Sequence, residues 1–94
     1  MKVVWGKGAK HDLGDAVTYI KRESPLAARR VAERIKSAAR GLADLPDRFK
    51  PGFVPGTREY VVLSLPYIIV YRVDPDQVSI LAVFHAARDV PRGG

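Results

Sequence analysis

The chemically most versatile residues of this sequence follow its last apolar run, residues 80–84. His85, Arg88 and Asp89 lie together in the short segment that comes next. Histidine can exchange a proton near neutral pH, and arginine can hold a phosphate or a carboxylate. Because no serine, cysteine or carboxylate set accompanies His85 at a diagnostic spacing, we predict a structural histidine that hydrogen-bonds to backbone at a strand end. Contact with a target molecule and acid–base catalysis are the alternatives.

Two further arginines, Arg58 and Arg72, lie in the segments that lead up to this end. We expect Arg72 to pair with a carboxylate such as Glu59 across a sheet, with recognition of a partner as the alternative. For Arg58, at the start of a predicted strand, an ion pair within the chain is the default expectation.

The other motifs that could support chemistry are weak. The histidines at positions 11 and 85 lack the clustered spacing of metal ligands, and the chain has no cysteine. The Gly-Lys-Gly stretch 6–8 lacks the spacing, and the Ser or Thr, of a phosphate-binding loop. We therefore expect no metal, no cofactor and no disulfide.

Length and charge limit the class of protein. The chain has 94 residues, enough for one domain over residues 1–94, and a net charge of +6. Between residues 20 and 50, nine Lys or Arg outnumber four Asp or Glu, which favours an anionic partner over a merely solvated basic face. No apolar run suits a membrane helix and no secretory signal is present, so we expect a cytoplasmic protein without membrane contact.

Apolar residues that recur at steps of three and four predict two helices. The first spans about residues 9–23 and contains Gly14, which we expect to permit the close approach of a neighbouring helix. The second begins after Ser24 and Pro25, a capping residue and a residue suited to the first helical turn, and reaches about residue 45. Ile35, on its apolar side, should be in the core.

Four strands are predicted at residues 2–5, 57–65, 67–73 and 77–85. The last two form a hairpin around the turn 74–77, in which Val73 pairs with Val78 and Tyr71, a core residue, faces Ile80. The order β-α-α-β-β-β predicts an α+β fold with a helical hairpin packed on one face of a small antiparallel sheet.

Three segments resemble the ParE-type toxins of the RelE/ParE superfamily: GTRE (56–59), PYIIVYR (66–72) and ILAVFHAARD (80–89). The helical pattern of the N-terminal half is similar to the helical hairpin of the same family. The resemblance implies a single RelE/ParE-like domain that is the toxin of a bacterial type II toxin–antitoxin pair. It also implies a ParD-like antitoxin as partner in a hetero-oligomer, with operator DNA contacted only through that antitoxin.

The resemblance leaves two activities to distinguish, since ParE-like members are associated with poisoning of DNA gyrase and RelE-like members cut mRNA on the ribosome. In RelE-like proteins, the strand that matches residues 67–73 resembles YRLVY, with a catalytic arginine where this chain has Ile68. A C-terminal catalytic tyrosine of those proteins is also missing here, since no tyrosine follows Tyr71. A ribonuclease needs cations and a proton donor at the phosphate. The comparison favours a non-enzymatic gyrase inhibitor. The alternatives are a ribosome-dependent mRNA endoribonuclease and an inactive homologue that acts as co-repressor with its antitoxin.

Two contact surfaces are expected. The antitoxin should dock as an amphipathic acidic helix on the helical hairpin, at Leu13, Val17, Ile20, Arg30, Val31, Arg34, Ile35, Arg40 and Leu42. The candidates for contact with the target are Arg58, Arg72, His85, Arg88 and Arg92. No aromatic residue interleaves with the basic helix face, so the sequence predicts no stacking platform for nucleic acid there.

Overall fold

The protein folds as two helices packed on one face of a four-stranded sheet. The computed structural model describes residues 1–89, and its elements are β1 (Lys2–Trp5), α1 (Lys7–Lys21), α2 (Pro25–Gly41), β2 (Arg58–Val61), β3 (Tyr67–Val73) and β4 (Gln77–His85). The predicted element order and the α+β class are confirmed. Within these residues no helix is both long and apolar enough to cross a membrane.

The helical hairpin forms where the capping signals place it. Ser24 Oγ accepts a 3.0 Å hydrogen bond from the Ala27 N–H, and Pro25 occupies the first turn of α2. Gly14 lies on the exposed side of α1, where an added Cβ would meet no atom within 4 Å. The expected close approach of a second helix at Gly14 is therefore wrong.

The sheet is mixed, which corrects the prediction of a purely antiparallel one. The strand order is β1-β4-β3-β2, and β1 pairs with β4 in parallel while the other two pairs are antiparallel. The helical hairpin is the reason, because two successive antiparallel helices return the chain to a strand that runs in the direction of β1. The β2–β3–β4 meander then ends in that same direction beside β1.

A β-bulge in β4 changes the register of the β3–β4 hairpin. The first pairs follow the prediction, including Tyr71 with Ile80, but Leu81 has no partner and every later pair is shifted by one residue. The shift turns Val83 toward the helices, where it is buried, and leaves Phe84 on the opposite face. The regular hairpin predicted from the sequence is thus wrong beyond Ile80.

The core lies between the helices and the sheet. Ile35 of α2 and Tyr71 of β3 are both 0% exposed, which confirms their prediction as core residues. The Tyr71 hydroxyl donates a 2.8 Å hydrogen bond to the Pro46 carbonyl in the loop after α2. Burial raises the pKa of the Tyr71 phenol, because the ionised form would lose its hydration.

Candidate functional site

His85 is fixed by hydrogen bonds at the end of β4. The ring Nδ1 accepts hydrogen bonds from the backbone N–H groups of Ala87 at 3.2 Å and Arg88 at 3.0 Å. The backbone N–H of His85 donates to Asp89 Oδ2 at 3.0 Å. The ring packs edge-on against Tyr67, with the centroids 5.4 Å apart. A nitrogen that accepts from two N–H groups is not free to act as a base. His85 thus has the hydrogen bonds expected of a structural histidine at a strand end.

Arg88 lies against α1. Its guanidinium stands 4.1 Å from the centre of the Tyr19 ring, and its Nε is 3.6 Å from Asp89 Oδ1. The neighbouring Tyr67 hydroxyl, and to a smaller extent the Asp89 carboxylate, raise the pKa of the Arg88 guanidinium. These groups, together with two carboxylates of α1, line a polar pocket of about 320 Å³. The first part of the C-terminal segment is therefore packed on the domain.

Asp12, one of those α1 carboxylates, belongs to the framework of the sheet. β1 ends at Trp5, opposite Ile80, so the last part of β4 has no neighbouring strand on that side. Asp12 Oδ2 fills the gap by accepting a 3.0 Å hydrogen bond from the Val83 N–H. Such caps satisfy the backbone at an exposed strand edge.

Arg72 pairs with Asp74, which corrects the expected pairing with Glu59. Arg72 Nε lies 2.7 Å from Asp74 Oδ1, and this hydrogen bond lowers the pKa of the Asp74 carboxyl. Glu59 instead lies 3.6 Å from Lys50 Nζ. The reason is strand length, since β2 reaches only to the position opposite Tyr71 and Arg72 lies past its end.

Arg58, the first residue of β2, holds the loop that follows α2. Its Nη1 donates a 2.9 Å hydrogen bond to the Phe49 carbonyl, and its Nη2 lies 3.8 Å from Asp47 Oδ1. The ion pair expected within the chain is therefore present.

The candidates for target contact do not form one cluster. Arg58 and Arg72 lie where β3 ends, whereas His85 pairs with Tyr67 where β3 begins. At roughly 3.3 Å per residue, His85 is about 13 Å from Arg58 and about 16 Å from Arg72 along the strand direction. His85 and Arg88 share one end of the sheet, and Arg92 lies outside the described residues.

The face of the sheet opposite the helices, here called the open face, carries an apolar pocket. Ile68 lies on this face by strand alternation, and the pocket beside it has a volume of about 290 Å³. Its apolar lining consists of Phe53, Val54, Val70, Ala82 and Phe84. Two carboxylates, Glu59 and Asp89, also line it, and among the described residues none that lines it is Lys, Arg or His. The open face thus offers apolar surface beside two carboxylates, each of which has a cation of its own chain within 4 Å.

The apolar residues predicted to bind an antitoxin lie in two settings. Ile35 and Leu42 are 0% and 1% exposed. They face the sheet from within the core, which corrects their assignment to an open groove. The remaining four are half-buried along the two helices: Leu13, Val17, Ile20 and Val31.

The three arginines of that predicted surface lie on two flanks of α2. At 100° per residue, Arg34 and Arg40 are about 120° apart around the helix axis. Arg34 Nη2 donates to the Leu63 carbonyl after β2, and Arg30 lies one turn before it, so we call this side the β2 flank. Arg40 lies near Trp5 of β1, on the side that we call the β1 flank. Replacing Arg30, Arg34 and Arg40 together would therefore disturb two different surfaces.

Two exposed features of the molecule do not follow from the sequence-based predictions. Val61, the last residue of the edge strand β2, is 53% exposed, and Leu63, two residues further on, is 75% exposed. The apolar residues of segment 57–65 carry that signal, but the sequence predicts a strand over the whole segment, whereas β2 ends at Val61. The second feature is the pocket between Trp5 and the β1 flank, whose residues come from three separate elements. No local pattern could have revealed it.

Known proteins similar to this chain carry the names of toxins. A family described as the ParE toxin of the type II toxin–antitoxin system, parDE, matches residues 3–90. A Sinorhizobium fredii protein named as a toxin, Y4kP, is 40% identical over 91 residues, which cover 97% of this chain and 94% of the relative. Toxin RelE2 of Caulobacter vibrioides is 41% identical over 87 residues, which cover 93% of this chain and 97% of the relative.

The fold is also found in a solved structure. The chromosomal ParDE TA system from P. aeruginosa contains a chain that matches with a TM-score of 0.82 and 23% identity, covering 90% of this chain and 95% of that one. This likeness concerns the fold, whereas the family match and the two relatives concern the sequence. On these grounds, the chain belongs to the ParE toxin family of type II toxin–antitoxin systems.

Proposed function

We propose that this toxin inhibits DNA gyrase without cutting nucleic acid, and that a ParD-like antitoxin neutralises it in the cytoplasm. The observation that carries the proposal is the chemistry of the open face. A ribonuclease must hold a phosphate and stabilise the charge that develops on it. The pocket on the open face is lined by no Lys, Arg or His of residues 1–89 that could hold that phosphate, and the apolar side chain of Ile68 has no donor to offer it.

The other polar groups considered for catalysis are engaged by their own chain. His85 Nδ1 accepts two backbone hydrogen bonds, and Arg72 is paired with Asp74. Releasing either group would cost the folded state these contacts. This supports a docking role for the C-terminal end of the sheet over an acid–base role.

The names of the relatives do not choose between the two targets, since the family carries the ParE name and one relative carries the RelE name. A direct comparison can do so. Purified toxin is added to DNA gyrase with relaxed plasmid and ATP, and in parallel to a translating ribosome extract. We expect loss of supercoiling in the first assay and intact mRNA in the second.

The variant His85→Ala is the control for both assays. Any loss in the gyrase assay should be partial, because the imidazole holds the backbone N–H of Arg88 and its removal loosens that residue. Ribosome-dependent mRNA cuts that vanish in His85→Ala, with unchanged gyrase activity, would replace the proposal by an mRNA endoribonuclease.

We further propose that the toxin contacts its target through Arg88 and Arg92. Arg88 is an exposed cation at the end of the described chain, and a cationic end suits an acidic or DNA-bound target. Deletion of residues 87–94 should abolish growth inhibition while antitoxin binding persists. Because that deletion also removes the contact of Arg88 with Tyr19, the substitution Arg92→Ala is the milder companion, and it should weaken inhibition without altering thermal stability. Full toxicity of both variants would exclude this surface.

For the antitoxin we propose the β2 flank of α2, with Arg30 and Arg34 beside half-buried Val31. Among residues 1–89 no ion pair involves either arginine, so both charges are available to an acidic amphipathic helix. The test compares Arg30→Glu with Arg29→Glu, which changes the net charge equally about 100° away around the helix. Arg30→Glu should slow association at low salt more strongly than Arg29→Glu. Equal rates for the two variants would count against this flank.

A further inference from the structure

The pocket on the β1 flank of α2 unites residues from three elements. Trp5 of β1, Lys10 of α1, and Lys36 and Arg40 of α2 line an open pocket of about 330 Å³. Because α1 and α2 are antiparallel, the first turns of α1 lie beside the last turns of α2. Lys36 and Arg40 are one helical turn apart, so their side chains lie on the same side of α2. The fold thus gathers three cations around one indole.

The three cations of this pocket have no acidic partner within the described chain. The ion pairs of residues 1–89 lie elsewhere, and no carboxylate there comes within 4.0 Å of Lys10, Lys36 or Arg40. Like charges that are held together without counter-charges create a local positive potential. An anionic ligand is the natural complement of such a potential.

Trp5 gives the pocket a rigid planar wall. The residue is half-buried, packs in part against the hydrophobic core and borders the pocket with the rest of its surface. The aromatic and cation–π pairs formed by residues 1–89 involve other rings, so none of these residues stacks on the indole. An indole held in this way offers a surface on which a planar ligand group can stack.

The hydrogen-bonding capacity of the lining narrows the ligand further. Tryptophan, lysine and arginine side chains are donors only, so all four groups require acceptors. Phosphate oxygens meet that requirement, and a nucleic acid base supplies the planar group. A peptide backbone carries as many N–H donors as carbonyl acceptors, and this lining would leave those donors without partners.

We propose that this pocket binds single-stranded nucleic acid, with one base stacked on Trp5 and the adjacent phosphates held by Lys10, Lys36 and Arg40. A single strand fits better than a duplex, because base pairing and stacking bury the base faces that Trp5 would contact. The site lies on the helix side of the sheet, opposite the open face. It is therefore independent of whether the toxin acts on gyrase.

The test uses the only tryptophan of the chain as its reporter. The intact toxin is titrated with a thymidine oligonucleotide and with an abasic oligonucleotide of equal length and charge. We expect the thymidine oligonucleotide to quench the Trp5 fluorescence and to bind roughly 5- to 150-fold more tightly, the usual gain from stacking one base on an aromatic ring. With three phosphates held, the logarithm of affinity should fall with the logarithm of salt concentration at a slope of about −2.

Two variants separate the parts of the site. Lys36→Gln combined with Arg40→Gln should reduce the salt slope to about −0.7, while Lys21→Gln combined with Arg48→Gln, outside the pocket, should leave it near −2 despite the same change in net charge. Trp5→Leu keeps an apolar side chain against the core and should lose the preference for the thymidine over the abasic oligonucleotide. Thermal unfolding of each variant verifies that it is folded. If Trp5→Leu does not fold, the two cation variants still test the site.

Three results would overturn the proposal. Equal affinities for the two oligonucleotides without quenching would mean a purely electrostatic surface. Duplex DNA that binds as tightly as the single strand would mean the same. A poly-glutamate peptide that binds more tightly and quenches Trp5 would mean that the pocket takes an acidic protein segment.

Discussion

The two faces of the β-sheet are built from the same kind of residue but differ in what covers them. On β3, Tyr67, Ile69 and Tyr71 face the helices and are at most 4% exposed. Their neighbours Ile68 and Val70 lie on the open face and are only half-buried. Because the residues of both faces are apolar, composition does not distinguish them, and the difference comes from the helices.

The difference teaches where this domain can meet other molecules. The open face keeps apolar surface beside the carboxylates of Glu59 and Asp89, whereas the unpaired cations lie on the outer side of the helices. An apolar region of this kind suits a protein partner, and the basic region suits an anionic one. The two regions are on opposite sides of the sheet, so each can be altered without the other.

Adjacent residues of β3 provide the strongest test of this contrast. Ile69→Arg would place an unpaired charge in the core and should cost at least about 4 kcal/mol of unfolding free energy. Ile68→Arg should cost less than about 1.5 kcal/mol, because a long side chain on the open face can extend its charge to water. Urea denaturation followed by circular dichroism measures both. Similar losses for the two variants would mean that the open face is sealed in solution.

The helix side of the contrast is tested on α2. Ile35→Ala should lower the unfolding free energy by about 2–5 kcal/mol, the usual cost of emptying a packed site. Leu26→Ala on the same helix, where the leucine is 52% exposed, should change it by less than about 0.5 kcal/mol. The same denaturation curves give both values. A loss below about 0.5 kcal/mol for Ile35→Ala would show that this side of α2 is not packed on the sheet.

Tyr71 tests the polar contact that closes the covered face. Tyr71→Phe removes the hydrogen bond to the Pro46 carbonyl and should cost about 1–2 kcal/mol. Since burial raises the pKa of this phenol above the ordinary 10.0, the folded state keeps its proton at a pH where the unfolded state has lost it. The resulting stabilisation is complete below pH 10 and is lost as the pH rises through the folded-state pKa. Between pH 8 and about 11, the Tm of thermal unfolding should therefore fall less steeply with pH in Tyr71→Phe than in the unaltered chain.

The smallest effect is expected on the outer side of α1. Gly14→Ala should raise the unfolding free energy by about 1 kcal/mol, because alanine favours the helix and nothing lies within reach of the new methyl group. Gly6→Ala is the matched control, since its Cβ would lie 3.0 Å from the Ile80 carbonyl and should destabilise the fold. A loss of stability in Gly14→Ala would mean that α1 is covered there in solution.

Most of the elements could be predicted from the sequence because their signals are local. Helical periodicity and the Ser24-Pro25 cap depend on residues within a few positions of each other, as does the turn at residues 74–77. The bulge at Leu81 could not be predicted in this way. It brings Val83 to the helices and its N–H to Asp12, a residue 71 positions away.

The candidate sites could be predicted only in part. The absence of a cation at Ile68 was visible in the sequence and agrees with the carboxylate-lined open face. The partner of Arg72 was not visible in the sequence, because Glu59 and Asp74 are both plausible partners until the length of β2 is known. The sequence alone does not decide between core and groove for Ile35 and Leu42, since an apolar helix position has the same appearance whether it faces the core or a partner.

The sequence by itself determined the type and order of the elements, the family resemblance and the excess of positive charge. Tertiary structure alone decided that β1 lies parallel to β4, that the open face remains uncovered, and that Trp5 stands among Lys10, Lys36 and Arg40. The physical reason is the range of the interactions. Capping and periodicity act within a few residues of the chain, whereas a pocket depends on how separate elements pack, which no local pattern records.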